Sequence, residues 1–197
     1  MKEQLQKDFN NSIKNLSLSQ KDIEIKKFCL ENFIDKGFPN RKEEDWKFSD
    51  LNQIIKNNIG ELSFYNDQAS TNKVDTSVFV DGLEHNKIVF INGRIEKIDF
   101  EYEKKDQIEI IDQSETINEF ENSNSLSDLN NAFTNKCFKI LVKKGYQLAK
   151  PLIIYHTTNS KIWSKNINLR LNFELDKDSS LRSVSYTHLT LPTMRTV

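Results

Sequence analysis

Glycine and proline are scarce here, with five of one and three of the other in 197 residues. So few glycines leave little room for a phosphate-cradling loop, a dinucleotide-binding glycine motif or a nucleophile elbow, and none of these patterns occurs. Cysteine is scarcer still. Cys29 and Cys137 stand far apart in the chain, as neither a disulfide framework nor a metal-ligand cluster with short spacing. That usage fits a reducing compartment. No apolar run reaches the roughly 20 residues that span a bilayer. The opening Met1-Lys2-Glu3-Gln4-Leu5 is charged where a secretory signal would be apolar, so a cytoplasmic location is expected. An excess of one charge is also missing. The 28 basic and 29 acidic residues leave a net charge of −1, which recommends neither nucleic acid nor an anionic membrane as a partner.

What the chain does contain begins with helical spacing. Leu5, Phe9, Ile13 and Leu16 fall on one stripe, with lysine and asparagine on the other face. Ser19 three residues before Asp22 is a capping signal, and Ile25, Phe28, Cys29 and Phe33 then share a face until Gly37 and Pro39 stop the helix. After Asn40 the run from Arg41 to Phe48 leads into Leu51, Ile54 and Ile55, which predicts a third helix with Trp46 packed against the other two. Together these form an expected helical domain over 1–60. The polar stretch over 61–76 reads as a connector.

Past the connector the period changes. Lys87 to Ile91 is a β-branched and aromatic run closed by Asn92-Gly93, a strong hairpin turn. Further strands are expected around Ile108 to Ile111, Cys137 to Val142, Leu152 to Tyr155 and, by alternation, Ile167 to Leu175, with a short helix over 126–133. Short strands in succession suit a sandwich, a barrel or a β-solenoid, and periodicity does not choose among them.

Candidate chemistry is thin. Glu43, Glu44 and Asp45 before Trp46 resemble a carboxylate pair beside a sugar platform, yet acids in a first helical turn and a tryptophan at an amphipathic position are explained by the helix itself. His85 sits in a polar turn and His156 at a strand end, and neither has a second His or Cys at ligand spacing. Cys29 among Phe28, Leu30 and Phe33 reads as a small core residue, and Cys137 opens an apolar strand. No catalytic, cofactor-binding or metal-ligating residue is assigned.

The segment Gly37-Phe38-Pro39-Asn40-Arg41-Lys42-Glu43-Glu44-Asp45-Trp46-Lys47-Phe48-Ser49-Asp50-Leu51 resembles the tryptophan-containing signature of the SufD branch of the SufB/SufD family, iron–sulfur cluster assembly scaffolds. Val89-Phe90-Ile91-Asn92-Gly93-Arg94, Leu129-Asn130-Asn131-Ala132-Phe133 and Gly145 to Ile154 follow in the family's order. The likeness spans most of 28–183. It implies an α+β chain, with an N-terminal helical domain followed over 77–183 by the start of a right-handed parallel β-helix, here truncated. It also implies a scaffold subunit rather than an enzyme, acting with SufB and the ATPase SufC and not functional alone. A transient iron–sulfur cluster, and flavin, would belong to the intact complex, with no cofactor in this chain. The family's cluster-building cysteine and histidine and its SufC-docking helix lie later than these motifs, so no residue carries them over. The competing readings are a β-helix carbohydrate-active enzyme and a plain β-structural binding domain.

The last residues break the pattern. Val184 to Thr193 resembles the translation of a transposase-type sequencing adapter, and Val197 before a stop is how that adapter reads on after three index-derived codons. Residues 184–197 are therefore expected to be non-native. His188 and Pro192 carry no functional weight.

Overall fold

The computed structural model describes residues 2–14, 16, 18–58, 64, 74–113, 124–158 and 165–189. Two compact units emerge. The first comprises Met1–Asn66, Gln113–Cys137 and Ser164–Arg170, and the second Asp67–Asp112, Phe138–Trp163 and Leu171–Val197.

In the first unit the first two expected helices and the short one over 126–133 form, and the third is shorter than expected. Helix α1 covers Lys2–Ile13 and buries Leu5 and Phe9. Helix α2 covers Gln20–Lys36, and Ser19 caps it by accepting from the Asp22 backbone N–H at 3.2 Å. Its end is set by Gly37, whose φ of +73° suits a residue without a side chain and aims its N–H at the Phe33 carbonyl, 2.7 Å away. The apolar face of α2 is Cys29, Leu30 and Phe33, whereas Phe28, expected on that face, is 62% exposed. Helix α3 spans Leu51–Asn58 and α4 spans Ser125–Phe133, the latter capped by the Asn124 side chain. From α4, Leu129, Ala132 and Phe133 join Leu5, Phe9, Leu30, Phe33 and Phe38 in one core. The rings of Phe9 and Phe33 meet Phe133 and Phe38 edge-on, at 6.1 and 4.9 Å. Of the connector expected over 61–76, only Phe64 and residues 74–76 are described, and Phe64 stacks on Phe133 at 3.5 Å.

The strands are β1 Asn86–Ile91, β2 Arg94–Asp99, β3 Ile108–Asp112, β4 Lys136–Val142, β5 Leu152–Thr158, β6 Leu169–Leu175 and β7 Ser183–Leu189. They form a sheet ordered β2-β1-β5-β7 and another ordered β3-β4-β6. Asn92 and Gly93, with φ of 51° and 83°, turn β2 back on β1. The two strands pair antiparallel, with a register shift between Val89 and Phe90. Strand β5 pairs parallel with β1 on one side and with β7 on the other. Covered on both faces, β1 buries Ile88, Val89, Phe90 and Ile91 in one run instead of alternating. Around Val89, Ile91, Ile153 and Tyr155 a second core closes, with Val74 and Phe79 packed on it.

This architecture corrects the expected fold class. The chain is mixed α/β, with four helices and two small mixed sheets among the described residues, and not a helical domain leading into a right-handed parallel β-helix. The reason lies in the pairing. The Asn92-Gly93 turn makes β1–β2 a hairpin, and β3 pairs antiparallel with β4 from Ile108 opposite Val142 to Asp112 opposite Phe138. A parallel solenoid has neither pairing. Of the segment 184–197, expected to be non-native, residues 184–189 belong to strand β7, Ser183–Leu189, while 190–197 lie outside the described residues.

Candidate interaction surface

Three settings hold the residues that the sequence singled out. The first is the segment from Gly37 to Leu51, where the expected third helix takes another form. Glu44–Trp46 is one short 3-10 turn, and α3 starts only at Leu51. Asn40 organises the approach: its backbone N–H donates to Glu43 Oε1 at 3.1 Å, and its side-chain oxygen accepts from the Lys42 N–H at 3.0 Å. Asp50 then accepts from the Gln53 N–H at 3.1 Å and so caps α3. Arg41, Lys42, Glu43, Glu44, Asp45, Lys47 and Ser49 are all exposed, and Phe48 is 91% exposed with Lys47 Nζ 5.7 Å from its ring centre. Trp46 is half-buried rather than enclosed. Apart from Phe38 and Pro39, which are buried, and Leu51, which packs on the helical core, the motif is thus largely a surface feature held by its own short hydrogen bonds.

The second setting is a polar centre inside the helical unit that sequence reasoning missed. Lys26 is 2% exposed on α2, and its ammonium donates to the carbonyls of Asn131 at 3.2 Å, Ala132 at 3.4 Å and Thr134. These carbonyls belong to the last turn of α4 and the residue beyond it, where a cation satisfies both the orphan acceptors and the helix dipole. Burial pulls the Lys26 pKa from its ordinary 10.5 down to about 8. Asp128, fully buried near the start of α4, takes Lys36 Nζ at 3.2 Å. Arg170 donates to Asn131 Oδ1 at 2.8 Å. Both cysteines are buried free thiols, and burial, with Asp128 second, pushes the Cys29 thiol up, away from thiolate chemistry. A sequence signal for Lys26 did exist, since it precedes Cys29, Leu30 and Phe33 by three, four and seven residues and so lies on the apolar stripe.

The third setting is in the strand unit, where His85, expected in a polar turn, is 2% exposed. Its Nδ1 lies 2.5 Å from the Leu83 carbonyl, which only accepts, so Nδ1 carries the proton. Its Nε2 therefore accepts from the Tyr155 hydroxyl at 2.7 Å, and that oxygen accepts in turn from the Val80 N–H at 3.0 Å. His85 is a satisfied core histidine. His156, expected at a strand end, lies within β5, half-buried and stacked 5.2 Å from Phe90, and burial lowers its pKa. Glu103, also missed, is 9% exposed and accepts from Asn86 Nδ2 and Tyr146 Oη, both at 2.7 Å, and from the backbone N–H groups of Ala149 and Lys150, both at 3.1 Å. Burial alone would raise its carboxyl, but these donors outweigh burial and hold it below the ordinary carboxylate range.

These groups are not brought together into one site. Glu43, Glu44 and Asp45 are exposed, Cys29 is buried in the helical unit, and His85 and His156 lie in the strand unit. Among the described residues, no group of three or more His, Cys, Asp or Glu is placed to hold a metal ion, and no helix is long and apolar enough to cross a membrane. No protein-family model and no curated protein matches the chain.

Proposed function

We infer that the chain is a scaffold subunit of the SufB/SufD type, one that contributes binding surface to an iron–sulfur cluster assembly complex with SufB and the ATPase SufC, located in the cytoplasm. One observation carries the reading. The segment Gly37 to Leu51, whose sequence resembles the family signature, keeps its charged residues and Phe48 in solvent, with Trp46 half in contact with the fold. A charged and aromatic motif held in shape on the surface suits recognition of a partner better than it suits core packing. The scaffold role also accords with Cys29 and Cys137 being buried thiols, since cluster chemistry in such a complex would then draw on residues other than these. A chimera tests it. Residues 1–183 replace the matching N-terminal part of an established SufD, and the chimera is expressed in cells lacking their own. Restored iron–sulfur enzyme activity, together with recovery of the chimera in a complex with SufB and SufC, is the expected result. A chimera that accumulates and folds but neither joins the complex nor restores activity would overturn the reading.

A further inference from the structure

In the strand unit an open groove of about 460 Å³ runs between β2 and β3. Its apolar lining is Ile98, Phe100, Ile108 and Ile110. Ile98 is 49% exposed, and the other three are half-buried. Both flanking strands are outermost in their sheets among the described residues, β2 beyond β1 and β3 beyond β4, so each has a row of backbone N–H and C=O groups facing away from its neighbour. The charges around the groove are uneven. Asp99 is already paired with Lys97 at 3.3 Å and Lys87 at 3.9 Å, which leaves Glu101 as the acid of the lining set against two lysines. Lys104 and Lys105, both exposed, line the same groove with no carboxylate partner among the described residues.

We propose that this groove docks an extended segment of a partner protein, with apolar side chains at alternate positions and acidic residues at one end. Such a segment would add to the open edge of β2 or β3, drop its apolar side chains between Ile98, Phe100, Ile108 and Ile110, and set its carboxylates against Lys104 and Lys105. Asp99 and Glu101 in the same lining disfavour a polyphosphate backbone. The groove would take this segment whether or not the chain serves a cluster scaffold.

The probe is an eight-residue peptide of alternating valine and threonine closed by two glutamates, titrated into the full chain and followed by backbone amide NMR. Saturable shifts confined to residues 94–112 are expected. Affinity should fall about tenfold in the exposed double variant Lys104→Glu, Lys105→Glu, and with added salt. A peptide ending in two lysines should not bind. Amide spectra of the variant outside 94–112 report that its fold is kept. Absence of saturable binding, equal affinity in the double variant, or shifts that map elsewhere would each overturn the proposal. So would decanoate producing the same shifts where the peptide produces none, or residues 94–112 being the contact in a self-associated dimer.

Discussion

Each unit holds a buried charge that the backbone helps to neutralise, Lys26 in one and Glu103 in the other, and the two do so in opposite ways. In the helical unit Lys26 spends its ammonium on three backbone carbonyls at the end of α4. In the strand unit Glu103 gathers two backbone N–H groups, a tyrosine and an asparagine. Both act as clamps between distant parts of the chain: Lys26 reaches more than a hundred residues forward, and Glu103 joins Asn86 to the segment from Tyr146 to Lys150. The difference lies in what each clamp leaves behind when removed. A helix end stripped of its cation strands several acceptors at once, whereas a carboxylate replaced by an amide keeps part of its bonding.

The largest effect is therefore expected from Lys26→Met, which keeps the length of the stem but leaves the carbonyls of Asn131, Ala132 and Thr134 without that donor. The cost should be about 3 kcal/mol or more. Amide hydrogen exchange should show protection lost first in α4, and unchanged exchange there would mean that the ammonium is dispensable. Glu103→Gln should cost less, about 2 kcal/mol, because the amide oxygen still accepts while its NH₂ faces backbone donors. Here the exchange should quicken at Asn86 and over 146–150, not in α4.

Acidity sharpens the same contrast. The folded pKa of Glu103 is held below its ordinary 4.5, so its contribution is intact at neutral pH and drains away as pH falls through the folded value. Lys26 runs the other way. Its folded pKa of about 8 lies below 10.5, so the unfolded chain binds that proton more tightly and this residue makes stability rise with pH between the two values. Urea unfolding across pH should show the acid limb flattened in Glu103→Gln and the alkaline limb flattened in Lys26→Met. The smallest effect is expected from Trp46→Ala, about 1 kcal/mol, well short of the roughly 3 to 5 kcal/mol of an enclosed aromatic ring. A loss in the larger range would show that Trp46 anchors the helical unit after all.

Local signals made much of this fold legible. Ser19 and Asp22 marked the start of α2, Gly37 its end, and Asn92-Gly93 the β1–β2 hairpin, because each of these acts through backbone geometry within a few residues. Pairing between distant strands was not legible. Nothing near Ile88 announces that Ile154 lies beside it, and the arrangement inferred from family resemblance gave a parallel β-helix where two mixed sheets form. Around Trp46 the acids and aromatics fitted a helical pattern, but Asn40 and Glu43 bond to each other's part of the turn and hold the chain in a 3-10 turn instead. Phe28 shows the limit of face assignment, since spacing alone placed it with Cys29 and left it 62% exposed. Glu103 sits in the charged run Glu101 to Asp106, with no pattern to separate it from its solvated neighbours.

The enclosure of Lys26 also makes it a chemical timer. A reagent that acylates amines modifies the exposed lysines of the chain at once, but it reaches this nitrogen only when the end of α4 lifts away. Once exposed, the amine loses the burial that lowered its pKa and reacts as the other lysines do, so its labelling rate set against theirs would count the openings of that one contact.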